Sequence, residues 1–459
     1  MRQSLLGITL GHDIPGRDII SDRSTISIAD LRAGSPLASE TIEQVRGRCI
    51  LIATETQLPT VLALLELDGV ARRIVLATPD LAPHLSGLIE LGQVDIILTD
   101  AAFAPTLTRL GLPLIQMPIA VTACREFETQ PEVDTEWVLL TSGTTGRPKM
   151  VVHTLPSLSG PLNDGVSIPD GVRWSTFYDV RRYGGLQILL RALIGGGSIV
   201  LSSASEPVSD FMGRLQRSNV THISGTPSHW RNALLSPFSG LVSPAYVRLS
   251  GEIADQAILN RLRAQYPNAN IAHAFAATEA GVGFDVRDGL AGFPVSFIPH
   301  PNDNQTMTMK LVDGTLWLRS SRVANRYLGA DLPRSDDGFI DTGDLVERRG
   351  DRFYFRGRRE GVINVGGQKV YPEEIEDIIT RHPDVIMARV WSRKNPITGA
   401  VVAADVVLRA PNDPQATATI INSMKSACQS ALPRHKVPAT WHRVEKIEMS
   451  ASGKLSRGA

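Results

Sequence analysis

The chain has 459 residues, too many for one compact core, and calls for two or more domains. Its 47 Lys+Arg balance 47 Asp+Glu, so no basic field points to nucleic acid and no acidic excess to disorder. An apolar content of 42% fits a globular protein, and the three distant cysteines (Cys49, Cys124, Cys428) lack metal spacing and fit reduced thiols in a cytoplasmic protein. The apolar run in "SLLGITLGHD" is too short to span a membrane and poorly shaped for a signal peptide.

In chain order, "RCILIAT" reads as a buried strand, "TQLPTVLALLELDGVA" as a helix ending at Gly69, and "RIVLAT" as a strand. "DLAPHLSGLIELGQ" is a helix, "VDIILTD" a strand and "LPLIQM" a further candidate strand. Aliphatic strands between helices predict a parallel sheet covered on both faces. A second unit of the same type follows. "LQILLRALIGGG" is a helix stopped by glycines, "SIVLSS" a strand, "VSDFMGRLQRSN" a helix and "VTHISGT" a strand. "PSHWRNALLS" and "DQAILNRLRAQYP" are helices, interleaved with the strands "AYVRLSG" and "ANIAHAFA". Residues 292 to 357 turn to short β runs such as "GTLWLRS" and "DRFYFRG". The remainder, with "YPEEIEDIITRHP" and "ATIINSMKSACQSAL" as helices and "VIMARVWSR" and "GAVVAADVVL" as strands, is a small α+β unit. The expected fold class is therefore α/β: a large N-terminal domain of layered α/β subdomains plus a β-rich segment, and a small mobile α+β C-terminal domain. The join falls in "RGRREGVINVGG", giving a domain over 1–357, a hinge at 358–361 and a second domain over 362–459.

One loop carries the first chemical signal. "LLTSGTTGRPKMVVHT" (139–154) concentrates glycine, hydroxyls and a lysine between apolar runs. A Walker loop needs G-x-x-x-x-G-K-[ST] ahead of a helix. Here two residues separate Gly146 from Lys149, Met150 replaces the hydroxyl, and "MVVHT" reads as a returning strand. A strand–loop–strand hairpin can still wrap a polyphosphate, because glycines let the backbone approach and successive N–H groups form an anion nest. A plain polar surface turn is the alternative.

The loop resembles the phosphate-loop signature of the acyl-adenylate-forming superfamily: acyl- and aryl-CoA ligases, peptide-synthetase adenylation domains and luciferases. Further segments resemble that family's motifs in the family's order. They are "LSGE" (249–252), "AFAATEAG" (274–281), "GFIDTGDL" (338–345), "FRGRREGVINVGGQKVYPEEIE" (355–376) and "SASGKLSR" (450–457). The resemblance implies an ATP site from Thr141, Ser142, Gly143, Thr144, Thr145, Gly146 and Lys149 on the phosphates, with Gly251, Glu252, Phe275, Ala276 and Ala277 about the adenine. Thr278 would touch the α-phosphate, Glu279 would hold Mg²⁺, and Asp344 and Arg358 would hold the ribose. Lys454 would be the catalytic lysine, Glu360 the hinge, and Gly366 and Gly367 the thiol tunnel.

The chain departs from the pattern in places. Ala276 stands where the family usually has glycine, and Asn364 where many ligases have lysine. "TFYDVRRYGGLQ" (176–187) replaces a His-x-aromatic-Gly run, with Arg181 in the histidine's place. Arg181 and Arg182 either face water or pair with Asp179, or Arg181 contacts the substrate carboxylate or a second anionic group of the acid, since arginine suits bidentate carboxylate recognition. Tyr183, Gly184, Gly225 and Thr226 are the other expected acid-site residues, and the trimmed chain favours a small acid, an aromatic one included. The expected function is ATP-dependent activation of such an acid to acyl-AMP, then thioester formation with coenzyme A. A phosphopantetheine carrier protein is the alternative acceptor, and a degenerate nucleotide-binding protein the alternative from another class. No nucleic-acid or membrane partner is expected.

Overall fold

The computed structural model describes residues 3–124, 132–141, 148–160, 171–298, 307–396, 398–409, 413–449 and 455. Two large sheets dominate the N-terminal part. The first is seven-stranded, ordered Arg326–Tyr327, Lys149–His153, Glu136–Thr141, Arg73–Ala77, Cys49–Ala53, Ile96–Thr99, Leu114–Gln116. Its strands from Glu136–Thr141 onward are parallel, because helices such as Gln57–Leu67 and Leu85–Gly92 provide the crossovers. Every residue of Cys49–Ala53 and of Arg73–Ala77 is buried, as expected of a sheet covered on both faces.

The second sheet has eight strands, ordered Gly281–Val286, Asn270–Ala277, Tyr246–Ser250, His222–Gly225, Arg173–Thr176, Ser198–Val200, Asp18–Ile20, Thr25–Ser27. Its six inner strands are parallel and its two outer ones antiparallel. One face packs on the helix Tyr183–Ile194, between the two sheets. The other packs on helices Val208–Arg217, Pro227–Ala233 and Gln256–Gln265. Sequence patterning predicts most of these elements but not the N-terminal pair Asp18–Ile20 and Thr25–Ser27. That pair sends the start of the chain into the second sheet through Ile19↔Ile199 and Ile20↔Val200. Three-residue strands leave too little periodicity to read.

A five-stranded antiparallel sheet follows, ordered Phe293–Pro294, Arg352–Arg358, Ile340–Arg349, Thr315–Ser320, Met307–Val312. It meets the second sheet through Phe275, Phe284, Phe293, Phe353 and Phe355, whose rings pack at centroid distances of 4.7–5.7 Å. The C-terminal unit packs helices Pro372–Thr380 and Pro414–Ala431 on a three-stranded sheet, Val385–Asn395, Gly399–Leu408 and Thr440–Arg443. Between it and the five-stranded sheet lie the turn Arg359–Gly361 and the hairpin Ile363–Val365/Gln368–Val370.

Candidate active site

A cleft of about 2210 Å³ opens between the two units, at the carboxyl ends of the parallel strands of the eight-stranded sheet. Thr141, Gly251, Glu252, Phe275, Ala276, Ala277, Thr278 and Glu279 line it from the N-terminal unit. Asp344, Arg358 and Glu360 line it beside the join, and Leu455 from the chain's end.

The strands that flank the expected phosphate loop pair antiparallel, Thr141 with Lys149 and Leu140 with Met150. That pairing is incompatible with a Walker loop. Ser142, Gly143, Thr144, Thr145 and Gly146 lie outside the described residues, as does Lys454. Thr141 Oγ1 is buried at the cleft edge and has no hydrogen-bond partner among the described residues, a group that a phosphate oxygen would satisfy. Lys149 is exposed and does not line the cleft. Its Nζ sits 5.4 Å from the centre of the Tyr327 ring.

The Thr278–Glu279 turn is held from several sides. His153, at the far end of the returning strand, is fully buried, and burial lowers its pKa to about 4. The neutral ring therefore donates Nε2–H to the Thr278 carbonyl at 2.8 Å, with Nδ1 at 3.1 Å from Ser157 Oγ. The Ala324 N–H donates to the Glu279 carbonyl at 2.9 Å. Tyr327 donates its hydroxyl to Glu279 Oε1 at 3.3 Å. Burial, then the Glu279 carboxylate, push the Tyr327 pKa well up, so that hydroxyl stays a donor.

Strand pairing sets Asp344 opposite Arg358, whose Nε lies 3.7 Å from Asp344 Oδ1. Phe275 belongs to a ring stack, 5.2 Å from Phe355 and 5.7 Å from Phe284. The Glu252 carboxylate accepts from Ser228 N at 3.0 Å and from Leu455 N at 2.8 Å. It therefore ties the residue next to Lys454 to the cleft wall.

Of the expected acid-site residues, Arg181, Tyr183 and Gly184 line the cleft, and Gly225 and Thr226 do not. The side chain of Arg181 is 1% exposed, and its Nε and Nη2 donate to Asp179 at 2.8 and 2.6 Å. Nη1 donates to the Thr54 carbonyl. Although Arg181 lines the cleft, its guanidinium donors are engaged by Asp179 and Thr54. Arg182 likewise pairs with Asp80 at 2.8 Å. Gly225 and Thr226 stand behind the cleft wall: Thr226 Oγ1 caps the helix Pro227–Ala233 through His229 N at 3.0 Å. A Cβ on Gly225 would come within 2.7 Å of Phe177. The wall presented instead is Phe177, Tyr178, Ser228 and His229, together with the expected Tyr183 and Gly184. His229 stacks on Phe177 at 5.4 Å, and burial lowers its pKa to about 4, so the Phe177–His229 face of the wall is neutral and aromatic. Gly366 and Gly367, at φ +57° and +84°, form an exposed hairpin turn outside the cleft.

Among the described residues no group of three or more His, Cys, Asp and Glu is placed to hold a metal, and no helix is long and apolar enough to cross a membrane. Glu279 and Thr141 line one cleft, and a cleft carboxylate of this kind fits Mg²⁺, which binds through one or two carboxylates plus substrate phosphates.

Residues 38–328 match the family of AMP-binding enzymes, and residues 374–454 match the AMP-binding enzyme C-terminal domain. The chain belongs to this acyl-adenylate-forming family. Among its relatives is a 2-succinylbenzoate–CoA ligase of Bacillus subtilis (strain 168), 25% identical over 470 aligned residues that cover 96% of this chain and 93% of the relative. The nonribosomal peptide synthetase inpB of Emericella nidulans is 26% identical over 87% of this chain and 18% of its own length. The fold is that of the anthranilate CoA ligase AuaEII in complex with anthranoyl-AMP, with TM-score 0.81, 17% identity and coverage of 98% and 95% of the two chains. It is also that of o-succinylbenzoate CoA synthetase from Bacillus subtilis, with TM-score 0.70, 20% identity and coverage of 99% and 97%.

Proposed function

We propose that the protein is an AMP-forming acid–thiol ligase. It activates a small carboxylic acid with ATP to an acyl-adenylate and transfers the acyl group to coenzyme A. The observation that carries this reading is one cleft uniting Thr141, Thr278–Glu279, Asp344 and Leu455 from sequence-distant segments.

A carboxylate is a poor acyl electrophile because its leaving group would be oxide, and AMP replaces it with a good one. The obstacle is charge, since an anionic carboxylate must attack the α-phosphorus of an anionic triphosphate. Bound Mg²⁺, held by Glu279 and the phosphates, supplies charge neutralisation. The hairpin at 141–149 holds the outer phosphates, Asp344 and Arg358 the ribose, and Phe275 joins the adenine to its aromatic stack. Lys454, next to the Glu252-bound Leu455, supplies a cation where the acyl oxygen meets phosphorus. The neutral wall of Phe177, Tyr178 and His229 suits a flat or short acid. We assign the hinge to 358–361, about Glu360, between a domain over 1–357 and one over 362–459. Rotation there would bring Gly366 and Gly367 to the thiol tunnel. The peptide-synthetase relative keeps a carrier-protein thiol as the alternative acceptor. The balanced charge and the reduced-thiol reading support a cytoplasmic location.

The test is ATP–pyrophosphate exchange across aryl, short aliphatic and dicarboxylic acids, followed by thioester formation with CoA and with a phosphopantetheinyl carrier. Exchange that requires an acid is expected. Acid-independent ATP cleavage, or release of ADP, contradicts the reading.

A further inference from the structure

The turn that carries Thr278 and Glu279 is built against a segment outside the sequence motifs, residues 320–328. At Gly281, with φ +80°, an added Cβ would lie 2.6 Å from the Arg322 carbonyl oxygen, so glycine is what lets the two backbones meet this closely. The Ala324 N–H then donates to the Glu279 carbonyl at 2.9 Å. Beyond that contact the segment turns to the phosphate side. Asn325 N donates to the Val152 carbonyl and Leu328 N to the Met150 carbonyl, each at 2.8 Å, and Tyr327 pairs with Val151. One short strand, Arg326–Tyr327, thus edges the strand Lys149–His153 and stands beside the expected metal ligand.

The two side chains of that strand point opposite ways. Arg326 reaches to Glu136 at 2.6 Å. The Tyr327 ring packs on the apolar cluster of Val151, Val323, Ala324, Leu332 and Ile340. That packing fixes the body of the ring and turns its polar tip toward Glu279. The hydroxyl lies 3.3 Å from Glu279 Oε1, and among the described residues no other side chain donates to this carboxylate. Burial, then the Glu279 charge, raise the phenol's pKa, so the hydroxyl remains a donor. The centre of the same ring lies 5.4 Å from Lys149 Nζ.

A carboxylate has two oxygens and about four acceptor positions. A donor on Oε1 fixes the plane of the Glu279 carboxylate and leaves Oε2 to a cation. A ligand carboxylate held in this way loses less rotational freedom on binding, and such outer partners strengthen metal sites.

We propose that Tyr327 is a positioning residue for the Mg²⁺ site: its hydroxyl orients the Glu279 carboxylate while its ring carries the Lys149 ammonium, so one side chain sets the metal ligand and the phosphate strand together. The inference rests on the ligase reading and on Glu279 as the metal ligand.

The test follows stabilisation of the protein by ATP, without acid, as Mg²⁺ is titrated, with ATP–pyrophosphate exchange measured alongside. It compares wild type, Tyr327→Phe, Glu279→Ala and the double variant. Phenylalanine keeps the ring, its packing and the Lys149 contact, and removes the hydroxyl alone. Tyr327→Phe should hold its ligand-free Tm within about two degrees of wild type. It should raise the Mg²⁺ concentration for half-maximal stabilisation about tenfold, the scale of losing the partner of a metal ligand. Saturating Mg²⁺ should restore most of its exchange rate. On the Glu279→Ala background the same change should have no further effect, because the tyrosine acts through the carboxylate. A wild-type Mg²⁺ response in Tyr327→Phe beside a weakened one in Glu279→Ala would overturn the proposal, as would an equal further loss in the double variant. Wild-type responses in both would place the metal ligand elsewhere and overturn the proposal with it. Absence of exchange with every acid would sink the ligase reading, and the Mg²⁺ titration with ATP alone would still decide the role of Tyr327. No stabilisation of wild type by ATP at any Mg²⁺ concentration would overturn both.

Discussion

The seven-stranded sheet buries Cys49–Ala53 and Arg73–Ala77 completely, whereas the eight-stranded sheet carries Ser224, Arg248 and Asp285 in the layer beneath the cleft. Both sheets follow the same construction, parallel strands with helical crossovers, yet the second holds a buried ion pair, Arg248–Asp285, in the layer below its cleft-lining strand ends. Changes in the first should register in unfolding, and changes in the second in turnover.

The largest separation is expected at Glu279. Glu279→Ala should slow adenylation at least about a hundredfold, the scale of losing one preorganised electrostatic group. Its Tm should stay near wild type, since the carboxylate lines the cleft and its partner Tyr327 is only half-buried. An unchanged rate would place the metal ligand elsewhere.

Next comes Asp68, a carboxylate inside the scaffold half. It accepts from Leu5 N and Trp137 Nε1, each at 2.8 Å, and burial pushes its pKa up to about 6. The folded state binds this proton more tightly than the unfolded state does. Asp68 therefore contributes stability that is fully present below about pH 4 and lost as pH rises through about 6, by about 2–3 kcal/mol in all. Indole fluorescence should titrate near pH 6 in wild type and lose that step in Asp68→Asn. A step retained in the variant would assign it to another group.

A smaller effect belongs to Gly225. In Gly225→Ala the new methyl meets Phe177 at 2.7 Å and His229 Cβ at 3.2 Å, and an overpacked contact costs about 1–3 kcal/mol. The cost should appear as a raised KM for the acid with KM for ATP little changed. Equal rises in both would contradict the wall as drawn. Smallest of all, Ile52→Val should cost about 0.5–1.5 kcal/mol in denaturant unfolding and leave exchange per folded molecule unaltered.

The scaffold was the more legible half. Runs such as "CILIA" and "RIVLA" announce buried parallel strands without help from the rest of the chain. The short strands Asp18–Ile20 and Thr440–Arg443 are defined by their partners Ser198–Val200 and Gly399–Leu408, and local pattern is silent about partners. At the site, motif order places Thr278, Glu279 and Asp344 around one cleft. Side-chain facing was beyond it. Arg181 had two readings, and packing selects Asp179 as its partner. Gly225 and Thr226 sit one layer behind the wall. His153 was visible inside "MVVHT", but its contact with Thr278, 125 residues away, needs the fold. The Glu252–Leu455 link spans 203 residues and leaves no local trace.

The central claim is that segments from both units converge on one ATP and that a cation at the chain's far end completes the adenylation site. Single-turnover formation of acyl-AMP by Lys454→Ala, with ATP affinity measured in parallel, tests it most directly. A rate lowered about a hundred- to a thousandfold with ATP binding nearly intact is the predicted result. A wild-type rate would contradict it.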